Sequence, residues 1–150
     1  MTELKERLRA DLTAAMKSRD ELVTATLRMA LTAVGTEEVA GKEARELSDA
    51  EVVQVLTREA KKRREAAEAF SAGNRPEQAA RELAEGEVLA GYLPQQLTDE
   101  ELNALVAQAV AETGAEGPKG MGLVMKALTP KIAGRAEGGR VAAAVKSALS

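Results

Sequence analysis

Leu93-Pro94-Gln95-Gln96-Leu97-Thr98-Asp99-Glu100-Glu101 decides how the chain is organised. Proline pushes the residue before it out of the α region, so a helix arriving from the N-terminal side ends near Leu93. Thr98 stands three residues before Glu101, the Ser/Thr-x-x-Glu pattern in which side chain and backbone at a helix start satisfy each other. One helical segment closes here and another opens. The spacing therefore predicts a boundary, with one domain over residues 1–94 and a second over 95–150.

Working back from that boundary, apolar residues recur at three and four, and the chain is rich in Ala, Leu, Glu, Lys and Arg. The expected class is all-α, with about four helices in an N-terminal bundle. A first helix from about Thr2 to Lys17 aligns Leu4, Leu8, Leu12 and Ala15. Asp20 can cap a second, carrying Val23, Leu27, Ala30, Leu31 and Val34. Gly35 and Gly41 weaken helix, so residues 35–47 read as loop or frayed helix. Ser48-Asp49-Ala50-Glu51 is another capping box, opening a long helix to about Ser71. After Gly73, Pro76 starts a fourth helix that reaches about Tyr92.

Forward from the boundary, three helices are expected. The first ends at Gly114, the second has Pro118 at its first position and Pro130 at or just past its end, and the third begins near Gly138. The 150 residues contain neither Cys nor His. Thiolate sites, disulfides and the commonest general acid/base are therefore excluded, and zinc is disfavoured. No stretch approaches the ~18 apolar residues of a membrane span, and a cytoplasmic protein without a membrane role is expected. Phe70 and Tyr92 are the only aromatics, too few for base-stacking platforms.

Charge is sorted along the chain. Although the net charge is −3, Lys119, Lys126, Lys131, Arg135, Arg140 and Lys146 face only Glu137 from residue 117 onward. Asp99, Glu100, Glu101, Glu112 and Glu116 precede them. Lys119, Lys126, Lys131, Arg135 and Arg140 are the candidate contacts to RNA phosphates, which need no aromatic stacking. The Gly-rich starts near Gly120 and Gly138 suit an anion or simply a turn. There is no Gly-Lys-Ser/Thr of a P-loop, and no catalytic residue, metal site or cofactor is assigned.

In the long third helix, Arg63 falls within the apolar stripe and Glu59 at its edge, while Glu82 lies in the stripe of the fourth. Glu59, Arg63 and Glu82 are therefore candidates for a structural ion pair or an anion site. The nearby run of Arg58, Lys61, Lys62 and Arg64 reads either as a solvated face or as a nucleic-acid contact.

Several pieces then fall into a familiar order. They are Leu27-Arg28-Met29, Lys62-Arg63-Arg64-Glu65 with Phe70 and Gly73, Tyr92-Leu93-Pro94 with Gln96-Leu97, Met121-Gly122-Leu123-Val124-Met125-Lys126, and Gly134-Arg135-Ala136-Glu137-Gly138. Together they resemble the YqeY-like proteins of the GatB/YqeY group over essentially the whole chain. The second domain is similar to the tail of the B subunit of glutamine-dependent aspartyl/glutamyl-tRNA amidotransferase. Gly86 departs from the larger apolar residue usual in the family's fourth helix, and Glu137 from its frequent Asp.

The resemblance implies a helical bundle joined to a three-helix tail that helps hold tRNA. It also implies a label of carbon-nitrogen ligase activity with glutamine as amido-N-donor, for which the sequence holds no glutaminase nucleophile or ATP signature. The expected partner is tRNA or a tRNA-protein complex. The alternatives are an adaptor docking an acidic protein through the basic C-terminal face, and a component of an amidotransferase.

Overall fold

The computed structural model describes residues 2–150, and every regular element among them is helical. They fall into two compact units, one ending at Leu93 and the other Pro94–Ser150.

The first unit holds α1 (Glu3–Ser18), α2 (Glu21–Glu38), α3 (Asp49–Ala72) and α4 (Pro76–Ala90). Arg19 turns left-handed at φ 60° to end α1, and the Asp20 carboxylate accepts the Val23 N–H at 3.1 Å to start α2. α2 then runs through Gly35 to Glu38, further than its glycine suggests. Tertiary anchoring accounts for this. Val34 is fully buried, and Lys5 Nζ on α1 donates to both Glu38 oxygens at 2.7 and 2.9 Å. The same carboxylate accepts the Leu47 N–H at 3.2 Å, drawing the 39–47 loop back to seat Leu47 in the core.

α3 begins with a complete capping box. The Ser48 hydroxyl accepts the Glu51 N–H at 3.2 Å and Glu51 accepts the Ser48 N–H at 3.1 Å. Arg45 forks onto the same Glu51 carboxylate, and that side-chain hydrogen bond is the main reason its pKa falls to about 2. Leu8, Leu27, Val34, Val52, Leu56 and Leu89 make the central apolar layer. In α4, Leu83 is exposed. The buried positions of this helix are Ala79 and Leu89, and Leu83 sits on the flank of that face. Tyr92 closes the unit: its hydroxyl donates to Asp11, the Arg7 guanidinium lies 4.6 Å from its ring centroid, and burial, foremost, raises its pKa above the usual phenol value.

The second unit holds α5 (Asp99–Thr113), α6 (Met121–Ile132) and α7 (Gly138–Leu149). Thr98 and Glu101 form the second capping box, each bond 3.1 Å. Pro118 opens a single 3-10 turn, Pro118–Gly120, and α6 follows it. Pro130 lies inside α6 rather than at or past its end. Its missing N–H forfeits one bond in the last turn, and the helix continues because Ile132 is buried in the core and its carbonyl accepts the Arg135 N–H at 2.8 Å. The core is wholly apolar, built on Leu102, Val106, Val124, Leu128, Val141 and Val145. No helix among the described residues is long and apolar enough to cross a membrane.

Candidate nucleic-acid interface

α6 contains no acidic residue. Val124, Leu128 and Ile132 face the core, which leaves Gly122, Leu123, Lys126, Thr129 and Pro130 exposed. Its approach is fixed by steric need. Gly114 ends α5 at φ 68°, and a side chain on Gly120 would place its Cβ 2.6 Å from the Ala115 Cβ, so only glycine fits there. Gly122 is different. A Cβ there would meet nothing within 4 Å, although the residue stands in the first turn of α6. The exposed face therefore carries bare backbone that packing does not require, beside Leu123, which is 53% exposed.

The five candidate phosphate contacts divide sharply. Lys119 and Lys126 are exposed and have no carboxylate partner among the described residues. Lys131 reaches across to Glu112 at 3.1 Å. Arg140 donates to the Leu97 carbonyl at 3.0 Å and to Asp99 at 2.8 Å, and Arg135 Nε donates to the Gln95 carbonyl at 3.1 Å. Acid and base, separated along the sequence, are thus partly paired in space.

Arg135 and Arg140 belong to a clasp. The Leu97 N–H donates to the Arg135 carbonyl at 2.7 Å, and Gln96 Nε2 donates to the Gly134 carbonyl at 3.1 Å. The segment before α5 is thereby laced to the loop before α7, with Leu97 and Ala136 buried beneath. Two motifs far apart in sequence are the halves of one device. Nothing local at Arg135 or Arg140 signals this, because their partners lie 40 to 43 residues away.

The charged group of the first unit is assembled differently from its sequence pattern. Arg63 Nε faces Glu82 Oε2 at 3.3 Å, and both atoms are shielded from water. The second carboxylate at Arg63 is Glu85, at 3.7 Å, while the Met29 sulfur also receives its guanidinium. Glu59, offered by its i,i+4 spacing, is met instead by Lys62 at 3.0 Å. Glu85 continues to Arg81 at 3.0 Å and Arg81 to Glu21 at 2.9 Å, so the network ties α2, α3 and α4. Hydrogen bonding to Arg81 lowers the Glu21 pKa, and bonding to Glu21 and Glu85 raises that of Arg81. Sequence reasoning missed the part-buried pair of Lys5 and Glu38. The one available signal is that Lys5 shares the α1 face of Leu8 and Leu12.

The family model described as Yqey-like protein matches residues 5–149. The chain belongs to the YqeY-like family. The match spans both units, so the clasp and the charged network both lie within the family region. No curated protein matches the chain.

Proposed function

We propose that the Pro94–Ser150 unit is a tRNA-associating module that grips phosphates through the α6 face. Four things support this reading: the chain's YqeY-like membership, the resemblance of this unit to an amidotransferase tail, the acid-free α6, and the exposed Lys119 just before it and Lys126 within it. The observation that carries it is that Lys119 and Lys126 stand exposed, without carboxylate partners among the described residues, beside the unfilled backbone at Gly122. Lys131 joins them at low cost, since an exposed ion pair such as its bond to Glu112 is worth about 0–1 kcal/mol. Arg135 and Arg140 act indirectly, by holding the unit closed.

The test is a titration of fluorescent total tRNA with nuclease-treated protein at several salt concentrations. With about two to three phosphate contacts, the log-log slope should be roughly −1.5 to −2.5. Lys119→Glu/Lys126→Glu should abolish binding while leaving the melting curve unchanged. Salt-independent binding, or binding indifferent to that double substitution, overturns the reading.

The exposed Leu123 favours a second reading, an adaptor whose partner is an acidic protein surface with an apolar contact. A partner retained in pull-downs from nuclease-treated lysate and lost on Leu123→Glu would select it over tRNA.

A further inference from the structure

A cleft of about 460 Å³ opens between α2 and α3, in the unit that the proposed tRNA contacts do not use. Met29, Ala33 and Val55 line it with apolar surface, and Thr32 and Thr36 add hydroxyls on the α2 side. From Met29 to Glu37 it follows α2 for about 12 Å at 1.5 Å per residue, and just beyond its end stands Val39, 64% exposed.

Its charges are layered. Glu59 is a buried residue whose side chain is only 10% exposed, and it lines the cleft with Glu37. The cations that meet them are on longer, more exposed arms. Lys62, 63% exposed, reaches Glu59 at 3.0 Å, and Arg58, 58% exposed, spans to Glu37 at 3.4 Å. These arms neutralise the two carboxylates.

That layering decides the sign of an occupant. An anion drawing Lys62 and Arg58 to itself would leave the Glu59 carboxylate buried and unpaired, which is strongly unfavourable. A cation has the opposite effect: it replaces Lys62 at Glu59, and the displaced arms return to water with little loss. A lone ammonium would leave the apolar floor and Val39 uncovered. A helix bearing both apolar and basic side chains covers the floor and supplies the charge.

We propose that the α2–α3 cleft docks a basic amphipathic helix from a partner protein, with a lysine or arginine of that helix on Glu59 and its apolar residues on Met29, Ala33 and Val55. Lys62 and Arg58 are then competitors for the site rather than contacts within it.

The experiment titrates the isotope-labelled full chain with a stapled helical peptide carrying leucine and lysine at i,i+4 spacing, alongside a version with glutamate for lysine, and with lysine methyl ester. The lysine peptide should give saturable shifts at α2 and α3 amides, and Glu59→Gln should weaken it about tenfold or more. Arg58→Ala, at an exposed position, should tighten it about two- to fivefold. Lys62→Ala, which removes the competing arm but leaves Glu59 buried without its partner, should tighten it more while lowering the melting temperature of the free chain. Absence of binding, equal binding of the glutamate peptide, or weaker binding in the Lys62→Ala and Arg58→Ala variants overturns the proposal. Lysine methyl ester binding as tightly as the peptide would also overturn it, since the cleft would then be an amine pocket. Loss of this binding leaves tRNA binding by the other unit untouched, so the two readings fail separately.

Discussion

The two units solve the problem of a small helical core in opposite ways. The Pro94–Ser150 unit keeps its interior wholly apolar and confines its charges to the surface, Arg135 and Arg140 among them in the clasp. The preceding unit admits charge to its interior, with Lys5 on Glu38, Glu59 under Lys62, and Arg63 between Glu82 and Glu85. An apolar interior tolerates sliding of one helix past another. A paired charge is far less tolerant, because displacement leaves both partners buried and unmatched. The contrast implies that register in the first unit rests on electrostatics and in the second on steric fit.

The largest test of that contrast is Arg63→Ala. It strands Glu82, while Glu85 keeps only Arg81, and should destabilise the first unit by about 3 kcal/mol, as read by hydrogen exchange at α3 and α4 amides. Arg140→Ala in the second unit removes more exposed bonds and should cost about 1 kcal/mol. Equal losses would erase the distinction. Next comes the steric side: Gly120→Ala, forced against Ala115, should cost the second unit about 1–3 kcal/mol and leave α3 exchange unchanged.

Acid sharpens the comparison further. Glu21, Glu38 and Glu51 in the first unit have folded pKa values below their ordinary 4.5, while Glu101 is the lowered carboxylate of the second. For each, the folded state holds its proton less tightly than the unfolded state. The stabilisation is complete above pH 4.5 and is lost as pH falls through the folded pKa, about 2 for Glu51. Between pH 4.5 and 2 the melting temperature reported by the first unit should fall more than that reported by the second.

The smallest effects come from paired glycine substitutions. Gly86→Ala would place its Cβ 3.8 Å from the Arg63 Cβ, an ordinary contact, and Gly122→Ala would meet open space. Gly86→Ala should stabilise its helix by about 0.5–1 kcal/mol, and Gly122→Ala, in the first turn of α6, by less. If the α6 backbone meets a ligand closely, Gly122→Ala should also weaken tRNA binding, whereas Gly86→Ala should not.

What the sequence made legible was local. Asp20, the Ser48/Glu51 box and the Thr98/Glu101 box each need only a turn of chain, and each forms at its expected place. The extension of α2 past Gly35 was hidden, because its support comes from Lys5, 33 residues upstream of Glu38. Pro130 misled for the same reason, since the buried Ile132 outweighs a local helix-breaking signal. Among the site residues, charge type alone could not separate Lys119 and Lys126, which face outward, from Arg135 and Arg140, which are engaged by backbone carbonyls. Only the fold assigns those carbonyls.

The clasp also sets an order of events during synthesis. Leu97 leaves the ribosome long before Arg140, which follows it by 43 residues. At about 5–20 residues per second that interval is several seconds. Throughout it, the Leu97 carbonyl lacks its guanidinium and the apolar faces of α5 and α6 lack α7. The first unit needs no such delay, since all four of its helices precede the boundary at Pro94. A nascent chain that has released Leu97 but not Arg140 thus presents a finished bundle followed by a segment whose apolar face is still uncovered.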